Sequence, residues 1–196
     1  INKTKKYFYL NSFFENDLKN ILATITIISI FKDIHKLDKN IFYNRKITVG
    51  RGDIVKVKLF KKNLYLVDES YNSNPLSLKS ALKNFDMIKV DNSKKHLVLG
   101  DMTELGKYSK KLHMEIGKSI NKTSLKNINV IGEHVKWIFN NLNKSKRGIV
   151  IKKKSQIIDL IKNNLNNNDY LMIKGSNSTG LNSLTNQIKT GKINAL

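Results

Sequence analysis

The chain has 196 residues, no cysteine and a formal net charge of +21. This length suits one domain, or one domain plus part of another, with a core that buries about 70% of the unfolded surface without disulfides or a metal. The lack of cysteine excludes thiolate nucleophiles and cysteine-based metal sites, and it fits a reducing compartment.

The first 44 residues predict one helix followed by a linker. Asp17 to Phe31 is apolar over most of its surface, which is typical of a helix buried in a larger body, and its apolar run is shorter than the about 20 residues that cross a bilayer. Residues 32–44 are polar. The chain opens on Ile1 without an initiator Met, so we expect an upstream part of a longer protein to be missing. We predict two parts, 1–44 and 45–196.

The second part predicts an α/β fold. Two strand-like runs, 53–60 and 63–68, are separated by Lys61 and Lys62, which predicts a hairpin. Helical and strand-like segments then alternate to the end of the chain. Five helices and four further strands are predicted, the strands at 96–99, 128–131, 148–151 and 170–173. This alternation predicts a Rossmann-like, mainly parallel sheet with helices on both faces.

Ligands of such sheets bind beyond the carboxyl ends of the strands. Asp68 and Glu69 end one strand, and Asn72 adds a further polar group to the same turn. The two carboxylates could accept hydrogen bonds from ribose hydroxyls or help to hold a metal through water. The alternative is that one of them caps a turn. Asp101 ends another strand and is a possible site residue.

Two further segments carry groups that suit anions. Arg51 lies between Gly50 and Gly52, where a close backbone approach and a guanidinium could clamp a phosphate; the alternative is an ordinary boundary turn. The segment from Lys174 to Gly180, with Ser176 and Asn177, precedes the last helix. Its amides and hydroxyls suit a carboxylate or phosphate, or they form a polar helix cap.

Histidines give little support to catalysis or metal binding. His113 falls on a predicted helix, where a single histidine is more often structural than catalytic, although it stays a possible site residue. The other three histidines show no metal-ligand spacing, so no metal site is predicted in this chain.

Four motifs together resemble the Mur ligases, in the branch that joins D-alanyl-D-alanine to UDP-N-acetylmuramoyl-tripeptide. They are Gly50-Arg51-Gly52, the segment DESYNSNP from Asp68 to Pro75, the segment LGDMTELG from Leu99 to Gly106, and Lys174-Gly175-Ser176. The resemblance implies that residues from 45 onward form the family's C-terminal domain. It also implies that residues 1–44 are the end of its central ATPase domain, with Asn20 on an asparagine-bearing helix.

The resemblance implies an ATP-dependent ligase that uses Mg²⁺ and forms an acyl phosphate, which the amine of D-alanyl-D-alanine then attacks. By this resemblance Arg51 would meet the ATP phosphates, and Asp68 or Glu69 the ribose. Asn20 and Asn72 would complete the nucleotide contacts. The dipeptide would face the loop that carries Lys174, Ser176 and Asn177.

Departures and missing parts qualify the resemblance. Glu69 stands where the family usually has Asp, and Asn16-Asp17 where it has a His-Asn pair. The phosphate loop, the magnesium ligands and the modified lysine are expected upstream of this chain. We therefore expect that the chain alone does not catalyse ligation, and that the protein is a cytoplasmic monomer without a membrane span.

Three alternatives remain open at this point. The first is another ligase of the Mur or folate type, against which the tyrosine-asparagine turn argues. The second is a basic α/β module that binds nucleic acid. However, only three of the 36 basic residues are arginine and the lysines are scattered, so we interpret the charge as solvated surface without specific nucleic-acid binding. The third is a receiver-like domain with Asp101 as the phosphoacceptor.

Overall fold

The computed structural model describes residues 5–11, 15–43 and 49–195. The chain divides into two compact units, Ile1–Ile47 and Thr48–Leu196. The predicted boundary after residue 44 lies outside the described residues, as does the side chain of Asn16.

The first unit contains one long helix, α1 (Glu15–Phe31), followed by a 3-10 turn at Ile34–Lys36. The helix forms where the sequence predicts it. Leu22, Ile30 and Phe31 are all more than 60% exposed in this chain, so the burial of the helix in a larger body stays a prediction. No helix in the described parts of the chain is long and apolar enough to cross a membrane.

The second unit is built on a six-stranded sheet, which confirms the predicted fold class. Its strands are β1 (Asp53–Leu59), β2 (Lys62–Glu69), β3 (Lys95–Gly100), β4 (Ile128–Ile131), β5 (Arg147–Ile151) and β6 (Tyr170–Lys174). The spatial order is β1-β2-β6-β3-β4-β5. Only the β1–β2 pairing is antiparallel, so the carboxyl ends of the other five strands share one edge.

The predicted hairpin joins β1 to β2. Its turn residues are Phe60 and Lys61, one position earlier than the sequence suggests, and both have positive φ, at 47° and 63°. Two consecutive left-handed residues match the twist of a tight two-residue hairpin.

Five helices cover the two faces of the sheet, and each lies where the sequence predicts one. They are α2 (Pro75–Asp86), α3 (Ser109–Asn121), α4 (Lys136–Asn140), α5 (Ser155–Asn164) and α6 (Leu181–Lys189). Asn74 begins α2 as a capping box with Ser77, as its place before Pro75 predicts.

The two faces of the sheet have separate apolar cores. Leu64 and Leu66 of β2 pack in one core with residues of α5 and α6. Val67 packs in the other core, with residues of α2, α3 and α4. Successive strand residues point to opposite faces of the sheet. The Asp68 side chain therefore lies on the same face as Leu64 and Leu66, and the Glu69 side chain lies on the same face as Val67.

Candidate ligand site at the carboxyl edge of the sheet

Asp68 is fully engaged by the protein. Lys189 of α6 lies 2.5 Å from both Asp68 Oδ2 and Asp53 Oδ2, so one ammonium bridges two carboxylates. The other oxygen, Oδ1, accepts from the Ser70 amide at 3.0 Å and from the Ser70 hydroxyl at 2.5 Å. The Asp68 side chain is 1% exposed. Its carboxylate therefore ties β2 to α6 and β1.

Glu69 forms a different kind of pair. Its Oε2 lies 3.2 Å from Lys174 Nζ, and the Glu69 side chain is 19% exposed whereas that of Lys174 is 1% exposed. Lys174 also donates to the Asn72 carbonyl at 3.0 Å. Burial raises the pKa of Glu69, although Lys174 opposes the shift. The pair holds an acidic group at the sheet edge, partly open to solvent.

Arg51 lies beside this pair, on the turn before β1. Its guanidinium carbon is 4.9 Å from the centre of the Tyr71 ring, which is a cation–π distance. Gly50 has a φ of 78°, and a Cβ there would lie 2.8 Å from Tyr71 Cβ, so the turn requires glycine. Arg51 is exposed, and its guanidinium forms no ion pair with an acidic side chain among the described residues. Burial lowers the pKa of Lys174, and the pairing with Glu69 opposes this shift. The positive charge of Arg51 is close enough to lower the pKa of Lys174 further.

Ser176 joins three loops at this edge. Its amide donates to the Asp101 carbonyl at 3.0 Å, and its hydroxyl donates to the Ser73 carbonyl at 3.2 Å. The same hydroxyl accepts from the Thr103 amide at 2.9 Å. Ser176 is 2% exposed, so its side chain supports the loops from inside. Asn177, the next residue, is exposed.

Asn72 presents both backbone and side chain at this edge. Its carbonyl holds Lys174, and its exposed side chain accepts from the Ser73 amide at 2.7 Å through Oδ1.

Asp101 caps a neighbouring loop. Its carboxylate accepts from the amide of Glu133 at 3.1 Å and from that of Val135 at 2.6 Å, which fixes the turn between β4 and α4. Gly132 has a φ of 131°, and a Cβ on it would overlap the Asp101 carboxylate. This geometry gives Asp101 a role in loop structure and offers no support for a phosphoacceptor.

His113 lies below the edge, 0% exposed. Its Nδ1 is 2.8 Å from the Ser109 carbonyl, and its Nε2 accepts from the Met102 amide at 3.2 Å. Burial lowers its pKa, and Nε2 carries no proton because it accepts the hydrogen bond from the Met102 amide. Both ring nitrogens are used within the protein, which is the arrangement of a structural histidine.

Asn20 belongs to the first unit, where it is exposed on α1 and its carbonyl accepts from the Thr24 hydroxyl. Lys189 and Asp53 are the important residues that the sequence did not reveal. They lie 121 and 15 residues from Asp68, and neither falls in a recognisable motif.

The residue types of a phosphate loop also occur within one of the helices. The tripeptide Gly117-Lys118-Ser119 occurs in the chain, but it lies inside α3, with Gly117 buried against Ile138 of α4. Its amides belong to a helix interior and cannot wrap a phosphate. The described residues contain no group of three or more histidine or acidic side chains that could together hold a metal ion.

The fold and this edge define a class of protein: a Rossmann-like α/β domain with Arg51, Glu69 and an exposed loop around Asn177 at the carboxyl ends of its parallel strands. The sequence profile of the glutamate ligase domain of Mur ligases matches residues 50–177. The chain belongs to this family.

Two curated relatives show which members of the family are similar. The UDP-N-acetylmuramoyl-tripeptide–D-alanyl-D-alanine ligase of Rickettsia prowazekii is 27% identical over 168 residues, covering 86% of this chain and 35% of its own. The protein of the same name from Buchnera aphidicola (subspecies Acyrthosiphon pisum) is 34% identical over 153 residues, covering 69% of this chain and 30% of its own. The chain thus spans about a third of the length of these relatives.

A solved structure shares the fold. The MurF ligase from Thermotoga maritima in complex with ADP aligns with a TM-score of 0.75 at 19% identity, covering 95% of this chain and 45% of that protein.

Proposed function

We propose that this chain is the C-terminal portion of an ATP-dependent ligase that joins D-alanyl-D-alanine to UDP-N-acetylmuramoyl-tripeptide. The names of the curated relatives support this proposal, as does the match of the chain to a Mur ligase domain. In the proposed reaction ATP converts the peptide carboxylate to an acyl phosphate, and the dipeptide amine displaces phosphate. The first unit, with Asn20, would be the end of the central domain. The proposed protein would work as a monomer in the cytoplasm.

The observation that carries the nucleotide part is the contrast between Asp68 and Glu69. Asp68 is saturated by Lys189 and Ser70, whereas Glu69 keeps a partly exposed carboxylate beside the exposed guanidinium of Arg51. We therefore assign the ribose contact to Glu69 and the phosphate contact to Arg51. Asn72 adds an exposed amide on the same side.

The dipeptide part of the proposal concerns the loop after β6. Asn177 is exposed and is the residue of this loop that we assign to direct contact. Lys174 and Ser176 are buried and bonded to Glu69, Ser73 and neighbouring backbone, so we assign them to support of the loop.

Ligation requires groups that the described residues do not supply. They contain no cluster of metal-ligating side chains, and the Gly-Lys-Ser tripeptide lies within α3. We therefore propose that the phosphate loop and the magnesium ligands belong to another part of the protein. The 196-residue chain should then release no phosphate from ATP in response to D-alanyl-D-alanine, as a phosphate-release assay will show.

Nucleotide binding tests the proposal directly. We expect ADP to bind the chain, with shifts of the Glu69, Tyr71 and Asn72 amides in a ¹⁵N–¹H NMR titration. Glu69→Gln should weaken the affinity about tenfold, because it removes a charge-assisted hydrogen bond to ribose. The matched control is Glu133→Gln, whose exposed carboxylate pairs with Lys136 on another loop.

Two outcomes of this titration would contradict the assignment. One is that ADP shifts no amide at the carboxyl edge. The other is that Glu133→Gln weakens ADP binding as much as Glu69→Gln does, which would indicate general charge attraction instead of a ribose contact.

A further inference from the structure

The backbone amide of Met102 donates a hydrogen bond to the buried side chain of His113. Met102 follows β3 by two residues, is 0% exposed, and its amide has no strand partner because the chain has left the sheet. A buried amide needs an acceptor, and His113 Nε2 provides one at 3.2 Å. Since Nδ1 faces the Ser109 carbonyl at 2.8 Å, the proton lies on Nδ1 and Nε2 is free to accept.

The ring of His113 is fixed from the side of α4. The rings of His134 and Trp137 stack on each other, with centres 5.1 Å apart, and each lies 5.9 Å from the His113 ring in an edge-on orientation. The imidazole therefore has a defined position as well as two defined hydrogen bonds.

The two neighbours of Met102 hold the loop after β6. Asp101 accepts the Ser176 amide through its carbonyl at 3.0 Å, and Thr103 donates its amide to the Ser176 hydroxyl at 2.9 Å. Met102 is thus the residue between the two hydrogen bonds that place Ser176. A shift of the Met102 peptide would move both bonds together.

We propose that His113 is a positioning residue, which through Met102 sets the place of Ser176 and of the loop between β6 and α6. Its effect on dipeptide binding rests on the proposed function, which gives this loop to D-alanyl-D-alanine. The effect of His113 on the position of the loop is independent of the proposed function.

The test compares three forms of the 196-residue chain by amide hydrogen exchange: the parent, His113→Leu and His113→Gln. His113→Leu removes the acceptor, so the amides of Met102, Thr103 and Ser176 should exchange about tenfold faster relative to that of Leu171 in β6. Glutamine can place an oxygen where Nε2 lies, so His113→Gln should restore slow exchange. A uniform loss of stability would accelerate Leu171 equally.

The proposal is overturned if the three loop amides keep their exchange rates relative to Leu171 in His113→Leu, or if His113→Gln behaves like His113→Leu. Ser176→Ala gives a second test should His113→Leu fail to fold. It breaks the next link, so the Thr103 amide should exchange faster while that of Met102 stays protected. Equal acceleration of Met102 would overturn the order of the links.

Dipeptide binding is measured on the same samples by NMR titration with D-alanyl-D-alanine. We expect His113→Leu to weaken binding about tenfold and His113→Gln to restore it. If the parent binds no dipeptide, the proposed function loses support, whereas the exchange rates still decide the role of His113.

Discussion

Asp68 and Glu69 are consecutive residues, but the two faces of the sheet treat their charges differently. On the α6 face, Asp68 forms an ion pair with Lys189, which also pairs with Asp53. Asp68 accepts two further hydrogen bonds, from the amide and the hydroxyl of Ser70. On the other face, Glu69 receives Lys174 and keeps part of its surface open. The first arrangement satisfies a carboxylate internally, as a structural residue requires. The second leaves a carboxylate able to accept a further donor, as a binding residue requires.

The two lysines show the same contrast. Burial opposes the charge of Lys189, but the hydrogen bonds that its ammonium donates to Asp53 and Asp68 outweigh burial and raise its pKa above the usual 10.5. Burial lowers the pKa of Lys174, and its pairing with Glu69 only partly offsets this. The charges on the α6 face therefore stabilise the fold, whereas burial opposes both charges of the Glu69–Lys174 pair.

Removal of Lys189 should have the largest effect on stability. Lys189→Met leaves Asp53 and the buried Asp68 as neighbouring negative charges without a cation, and we expect a loss of about 3 kcal/mol. Urea unfolding at pH 7 measures it. The control is Lys110→Met on the exposed side of α3, which should change the free energy of unfolding by less than about 0.5 kcal/mol. A loss no larger than that of the control would remove the structural role of this face.

Removal of Lys174 should cost less, about 1–2 kcal/mol by the same measurement, although Lys174 is the more deeply buried lysine. Glu69 already has a raised pKa and some exposure, so it can take up a proton or meet solvent when its partner is gone. If Lys174→Met cost as much as Lys189→Met, Glu69 would be a structural carboxylate like Asp68, and the ribose assignment would weaken.

Alkaline pH should distinguish the two lysines, because their pKa values shift in opposite directions. The pKa of Lys174 is lower in the folded chain than in the unfolded chain, so the unfolded chain binds more protons as the pH rises toward 10.5. The stability of the parent should then increase relative to Lys174→Met over this interval. The raised pKa of Lys189 means that its contribution is complete below 10.5, so the gap between the parent and Lys189→Met should stay constant. Urea titrations at stepped pH measure both gaps.

Much of the fold could be predicted because it depends on local signals. The spacing of apolar residues gave the helices and strands, and Asn74 before Pro75 gave the start of α2. What covers the apolar surface of α1 could not be predicted, because apolar composition does not identify the packing partner of a helix. The sequence also could not predict that Asp68 is satisfied within the protein while Glu69 stays partly exposed. The difference depends on Lys189, which is 121 residues away and meets Asp68 only when α6 packs on the sheet.

The smallest effect should come from Ser73, which lies in the turn after Glu69. Its hydroxyl is buried and has no hydrogen-bond partner among the described residues, while its carbonyl accepts from Ser176. Burial of an unpaired hydroxyl costs free energy, so Ser73→Ala should stabilise the chain by about 1 kcal/mol in urea unfolding. Ser70→Ala is the matched control on the other face. It removes a hydroxyl that bonds Asp68 and Thr185, so it should destabilise the chain by a similar amount. Opposite signs would show that the Ser73 hydroxyl is unpaired whereas the Ser70 hydroxyl is satisfied, and equal signs would remove that distinction.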